Sequence, residues 1–145
     1  MQHVGKCKRT VLAFAVLLSA GSAFAAHDAQ AVINACRQGH DHADMSACVA
    51  DQAEASLRDL TNTENTIRLS IRTGTYDPAF PTYRTDALAD IDAASNAFKR
   101  YRTEHCAFQA AVASKGNGAE DVRKACEAVL NSERADQWRA SRPWL

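Results

Sequence analysis

The cysteines are the residues of this chain best suited to form covalent or metal bonds. The sequence has five of them: Cys7, Cys36, Cys48, Cys106 and Cys126. Eleven residues separate Cys36 from Cys48, and nineteen separate Cys106 from Cys126. Neither interval matches the two-residue spacing of cysteine pairs that bind zinc. The spacing therefore favours disulfide bonds over a tetrahedral metal site, provided that the chain folds in an oxidising compartment.

A short run of histidine and aspartate is the other group of side chains with ligand chemistry. His40 and His42 flank Asp41, and Asp44 follows two residues after His42. Imidazole and carboxylate groups at this spacing could bind zinc or copper. The alternative is a polar turn with Asp44 as the N-cap of the next helix, and we favour it because four ligands are not evident. The sequence therefore predicts no metal and no cofactor.

No group of residues in the sequence has the pattern of a catalytic site. The chain lacks a P-loop, a nucleophile elbow and an H-E-x-x-H zinc motif. Cysteines that are paired in disulfides would leave no thiol nucleophile. The many carboxylates fall where solvated faces of helices would place them. We therefore predict that the protein is not an enzyme.

The N-terminus has the pattern of a secretory signal peptide over residues 1–25. A basic segment at residues 6–9 precedes an apolar run at residues 11–18, and residues 23–25 read Ala-Phe-Ala. The apolar run is too short to span a bilayer. We therefore predict cleavage, with a single domain over residues 26–145 in the periplasm or outside the cell and without a stable membrane anchor.

The balance of charge disfavours several classes of partner. The whole chain has 17 basic and 17 acidic residues. Signal cleavage would remove three basic residues and leave 14 against 17, a net charge of −3. Nucleic acids and anionic membrane surfaces require basic faces, so we expect neither as a partner. The net charge is compatible with a cationic protein partner.

Apolar residues recur at helical spacing between segments that favour turns. This pattern predicts helices over residues 27–38, 45–72, 86–114 and 119–140, with a weak point between Asn62 and Asn65. The fold class that we predict is all-α, with two long helices in an antiparallel hairpin and a short helix at either end. The apolar positions expected to face inward include Leu57, Tyr101, Phe108 and Val112.

The predicted helices place each pair of cysteines beside a short connection. Cys36 and Cys48 flank one turn, and Cys106 and Cys126 flank another. We favour these two disulfides, each of which would stabilise the fold by about 3 kcal/mol through loop closure. Crossed pairings stay open, because the hairpin could also bring Cys48 beside Cys106.

The segment between the two long helices is the best candidate for binding another protein. Residues 73–85 contain two prolines and a glycine, which exclude a continuous helix. Aromatic and charged side chains in such a loop can anchor a partner; here they are Tyr76, Asp77, Phe80, Tyr83 and Arg84. The alternative is that the aromatic rings fold back and cap the end of the hairpin.

Two stretches of the sequence together resemble the LprI-like family of lysozyme inhibitors. The first is the cysteine pair near the N-terminus, followed by an amphipathic helix. The second matches the family's helix Ala-Gln-x-x-Trp-x-x-x-Arg-x-x-x-Cys, which is followed by a fourth cysteine and an arginine. The matching positions are Phe98, Arg102, Cys106, Cys126 and Arg134, with Phe98 in place of the tryptophan. The resemblance covers roughly residues 33–138.

This resemblance implies a helical, disulfide-bonded protein of the bacterial envelope whose best-known relatives inhibit lysozyme. The cleft of lysozyme carries two catalytic carboxylates, which tyrosine hydroxyls and Arg84 could contact. Arg102 could contact a partner's carboxylate too, although pairing with an acid on a facing helix is the interpretation we favour. Two other functions stay open: metal binding through His40 and His42, and a structural or stress-related role in the envelope without lysozyme activity.

Overall fold

The part of the chain whose structure is described is entirely helical apart from turns. A computed structural model describes residues 29–39, 41–74, 80–113 and 118–141. Its helices are α1 (Ala29–Arg37), α2 (His42–Thr73), α3 (Thr82–Ala113) and α4 (Ala119–Ala140). The predicted all-α fold, with two long helices flanked by shorter ones, is therefore confirmed. The predicted signal peptide lies outside these residues.

None of these four helices combines the length and the apolar character that crossing a membrane requires.

The last helix, α4, lies at the centre of the fold and packs against α1, α2 and α3. Small side chains face its neighbours: Ala125 and Ala135 are fully buried, and Ala128 is nearly so. Because alanine has only a methyl group as its side chain, the other helices can approach the backbone of α4 closely. The inward face of α4 therefore consists largely of small residues rather than large apolar ones.

Two separate apolar clusters hold the ends of the fold together. At one end, α1, α2 and α4 meet around Ile33, Met45 and Val49, and Val49 is fully buried. At the other end, Ile67 and Ile71 of α2 pack against Ile91 of α3, and Trp138 lies against the same cluster. The long helices are thus in direct contact close to the loop that joins them.

Both long helices begin earlier than the sequence suggested. The N-cap of α2 is Asp41 rather than Asp44: its carboxylate accepts a hydrogen bond of 3.0 Å from the backbone N–H of Asp44. Helix α3 begins at Thr82, four residues before the predicted start at residue 86, so Tyr83 and Arg84 of the predicted loop belong to its first turn. Pro81, which precedes α3, suits a helix start because the first turn has no use for the N–H that proline lacks.

Helix α2 continues without interruption through residues 62–65. Asn and Thr are poor helix formers, which made residues 62–65 the weak point of the sequence pattern. In the structure Thr63 and Glu64 are buried within an uninterrupted helix. Tertiary packing supplies most of the stability of a helix in a folded protein, and here it outweighs the local preference.

Several apolar residues that were expected to face inward are exposed instead. They are Leu57 of α2 and Tyr101, Phe108 and Val112 of α3. Helix α3 buries only one narrow face, which includes Ile91, Cys106 and Ala110. The opposite face of α3 has no neighbouring helix among the described residues, which explains the exposure of its three residues, and Leu57 of α2 is 40% exposed. The prediction for these four positions was wrong.

A buried polar network joins the two long helices near the apolar cluster of the loop end. Glu64 is only 6% exposed, and it lies 3.5 Å from the guanidinium of Arg68, one turn further along α2. Ser95 of α3 donates a hydrogen bond of 2.8 Å to Glu64, and Arg68 donates one of 2.9 Å to Asp92. Both oxygens of the buried Glu64 carboxylate therefore have partners.

The glycine that ends α2 provides a direct test of this helix end. Gly74 has a φ of 86°, a left-handed conformation that disfavours side chains, while a Cβ there would meet only the tip of Arg84, at 3.8 Å. We expect Gly74→Ala to lower the free energy of unfolding by about 1 kcal/mol through backbone strain. Urea denaturation would measure it, with Gly118→Ala as the control because Gly118 has a negative φ. Equal losses of stability from the two substitutions would show that the left-handed conformation of Gly74 is not the cause.

Candidate functional site

Two disulfides connect the helices in pairs. Cys36 is bonded to Cys48, which ties α1 to α2, with their Cα atoms 5.6 Å apart. Cys106 is bonded to Cys126, which ties α3 to α4, with their Cα atoms 5.5 Å apart. These are the two pairs that the sequence favoured, and each one holds neighbouring helices together across a connection.

The aromatic and arginine positions of the family pattern meet between α3 and α4. The guanidinium of Arg134 lies 4.3 Å from the centre of the Trp138 ring and 5.7 Å from that of Phe98. Such cation–π contacts favour a fixed position for the arginine. This part of the pattern therefore forms an interhelical contact.

Arg102 also makes its hydrogen bond inside the protein. Its partner is a side-chain amide and not the acid on a facing helix that the sequence analysis favours. Its guanidinium donates a hydrogen bond of 2.6 Å to the side-chain oxygen of Asn131 on α4. The amide of Asn131, which is almost completely buried, in turn donates one of 3.2 Å to Ser56 on α2. A neutral amide thus replaces the expected carboxylate, and the chain of bonds links three helices.

The described part of the proposed binding loop presents two aromatic rings to solvent. Phe80 is 59% exposed and Tyr83 is about half exposed, and their rings meet edge to face at 5.3 Å. Arg84 is partly buried, with its guanidinium near Gly74. Tyr76 and Asp77 lie outside the described residues. The two described rings pack on each other instead of being buried against the hairpin.

The histidine and aspartate run lies at the opposite end of the molecule, beside a cavity of about 380 Å³. His42 and Asp44 are both exposed, and His40 lies outside the described residues. His42 approaches an acid that the sequence did not single out: its Nε2 is 3.8 Å from a carboxylate oxygen of Asp121 on α4. Among the described residues, no three histidine, cysteine or acidic side chains are grouped so as to hold a metal ion.

Charged residues on the outer face of α4 form pairs that connect neighbouring turns and helices. Hydrogen bonding to Arg123 holds the pKa of Glu120 below its ordinary value. Hydrogen bonding to Asp59 of α2 raises the pKa of Arg139, which also contacts Asp136. These groups are largely solvated, so each pair contributes little to stability. These ion pairs give each of the charged side chains a structural partner.

Of three comparisons with known proteins, the one with protein families finds a match. A profile of the family described as "Lysozyme inhibitor LprI" matches residues 33–138. No curated protein matches the chain significantly, and neither does any solved structure. The match covers most of the chain, including all four described cysteines and the aromatic-arginine contact between α3 and α4. The protein therefore belongs to the LprI lysozyme inhibitor family.

Proposed function

We propose that this protein is exported and inhibits lysozyme by forming a stable complex with it, without catalytic turnover. The observation that carries this proposal is the family match over residues 33–138, because the description of that family names lysozyme inhibition. Export is supported by the signal-like pattern of residues 1–25 and by two disulfides, which persist in oxidising compartments. The site of action would be the periplasm or the cell exterior.

We place the contact with lysozyme at the loop between α2 and α3 and at the first turn of α3, which carries Tyr83 and Arg84. Exposed aromatic rings supply large contact areas with little loss of side-chain entropy, and Phe80 and Tyr83 are such rings at one tip of the molecule. Exposed rings of this kind suit a partner whose active site is a cleft. Arg84 and the hydroxyl of Tyr76 would add polar contacts to the two catalytic carboxylates that line that cleft, and Asp77 would contact polar or basic groups of lysozyme beside it.

The first experiment is a lysis assay with the purified, oxidised protein and several classes of lysozyme. We expect inhibition that is complete near equimolar inhibitor for at least one class, since a stable complex titrates stoichiometrically. No inhibition of any class would overturn the proposal and would favour a structural or stress-related role in the envelope.

A pair of variants tests the proposed contact separately from the function. Phe80→Ala combined with Tyr83→Ala should weaken inhibition at least about tenfold, because interface aromatics commonly contribute 2 kcal/mol or more. The matched control is Phe108→Ala, which removes a ring that is equally exposed, at 61%, but lies on the outer face of α3. Full inhibition by the double variant would show that lysozyme is bound elsewhere.

A further inference from the structure

The cavity beside His42 is far from the loop that we assign to lysozyme. It lies where α1 ends and where α2 and α4 begin, whereas the loop follows the end of α2. Helix α2 has 32 residues, and at 1.5 Å per residue it separates the two places by about 48 Å. A ligand in the cavity would therefore occupy a second site, beyond the function proposed above.

One oxygen of a buried carboxylate beside the cavity has no hydrogen-bond donor. Asp121 is 6% exposed, and its Oδ2 atom is buried without a hydrogen-bond partner in the described structure. Among the described residues, the basic group that approaches this oxygen is His42, at 3.8 Å, which is too far for a hydrogen bond. Burying an unpaired carboxylate oxygen is unfavourable unless a donor or cation satisfies it.

Local structure keeps this carboxylate in place and leaves room to reach it. Asp121 belongs to the first turn of α4, where the helix dipole stabilises negative charge. Asp121 and His42 both line the cavity, and 67% of the His42 side chain is exposed. Rotation of an exposed side chain is fast and meets little resistance. A ligand that enters the cavity can therefore displace the imidazole and approach the carboxylate.

The walls of the cavity define the chemistry of its ligand. Ile33, Met45 and Val122 provide an apolar surface, and the charged side chains on the wall, among the described residues, are Arg37, Asp41 and Asp121. With His42 neutral, these three charges sum to −1, which favours a cation. A metal ion does not suit the site, since three metal-ligating side chains are not grouped there among the described residues.

We propose that this cavity binds an alkyl chain that ends in an ammonium or guanidinium group, the chemistry of a lysine or arginine side chain on a peptide or protein. The alkyl part packs against the apolar wall, and the cationic group donates hydrogen bonds to Asp121. Charge-assisted hydrogen bonds of this kind are stronger than neutral ones, and burial strengthens them further.

Titration with small probes tests the site by NMR. The probes are Nα-acetyl-lysine methylamide and Nα-acetyl-arginine methylamide, and the control is the norleucine analogue, which keeps the alkyl chain without the charge. We expect at least one cationic probe to bind the protein, with resonances of α1, α2 and α4 perturbed, and at least about tenfold more tightly than norleucine. Equal binding of norleucine, or no binding of either cationic probe, would overturn the proposal.

Substitutions then assign the carboxylate. Asp121→Asn should weaken binding of the cationic probe at least about tenfold, while Glu120→Gln, in the same turn but exposed, should not. His42→Lys offers a second test on an exposed position, because its own ammonium would compete for Asp121 and reduce probe binding. Phe80→Ala with Tyr83→Ala should leave probe binding unchanged, so this site and the lysozyme contact can fail independently. Unaltered binding by both Asp121→Asn and His42→Lys would refute the assignment.

Discussion

Arg68→Met should lower the free energy of unfolding by about 3 kcal/mol or more, because it strands a buried charge. Arg68 is the cationic partner of Glu64, which is buried and has only the hydroxyl of Ser95 as another donor among the described contacts. Methionine keeps an unbranched apolar stem in place of that of arginine, so most of the loss would come from the charge rather than from a cavity. Urea denaturation followed by circular dichroism would measure the effect.

The chain contains an unusually close control for this experiment. Glu54 and Arg58 are also four residues apart on α2, and their charged groups are also 3.5 Å apart, but both are exposed. Arg58→Met should therefore change stability by less than about 0.5 kcal/mol. Combining Arg68→Met with Glu64→Gln should restore part of the lost stability, because the glutamine carries no charge. Similar losses from Arg58→Met and Arg68→Met would contradict the role of burial.

Removing the disulfide between α3 and α4 should have an effect of similar size. Cys106→Ala with Cys126→Ala opens a loop whose ends are 20 residues apart, which destabilises the folded state by about 3 kcal/mol in the chain-entropy account. Both cysteines are buried, so lost packing adds to this effect. For a domain of this size the total is a large share of its stability.

The other disulfide provides the comparison. Cys36→Ala with Cys48→Ala opens a shorter loop, and Cys48 is only partly buried, so we expect a smaller loss measured in the same denaturation experiment. The wild-type protein treated with a reductant should lose more than either double variant. A loss below about 1 kcal/mol in the Cys106 and Cys126 variant would contradict the prediction, because it would show that neither the cross-link nor its packing contributes much to stability.

The helices could largely be predicted from the sequence, but the details of their ends and centres could not. The predicted helix over 119–140 has the bounds of α4, because a Gly-rich turn and a run of helix formers mark it clearly. At the start of α2, Asp41 and Asp44 are both good caps, and only their geometry distinguishes them. The continuity of α2 through residues 62–65 depends on packing with other helices, which no local pattern encodes.

The polar interior was the part that sequence patterns concealed. Glu64, Asp121 and Asn131 appear in the sequence as ordinary polar positions, yet all three are buried. Apolar spacing alone also misplaced Tyr101 and Phe108, because the central position of α4 leaves one face of α3 without a neighbour. His42 of the histidine run lines the cavity, but the acid that approaches it comes from a helix almost eighty residues later.

The central position of α4 has a consequence for how the protein forms during synthesis. Helices α1, α2 and α3 all bury surface against α4, and all three precede it in the chain. Until α4 is made, the earlier helices lack this shared partner, and contacts distant in sequence form slowly because a long segment must first be ordered. We therefore expect a segment that ends before α4 to lack a completed core.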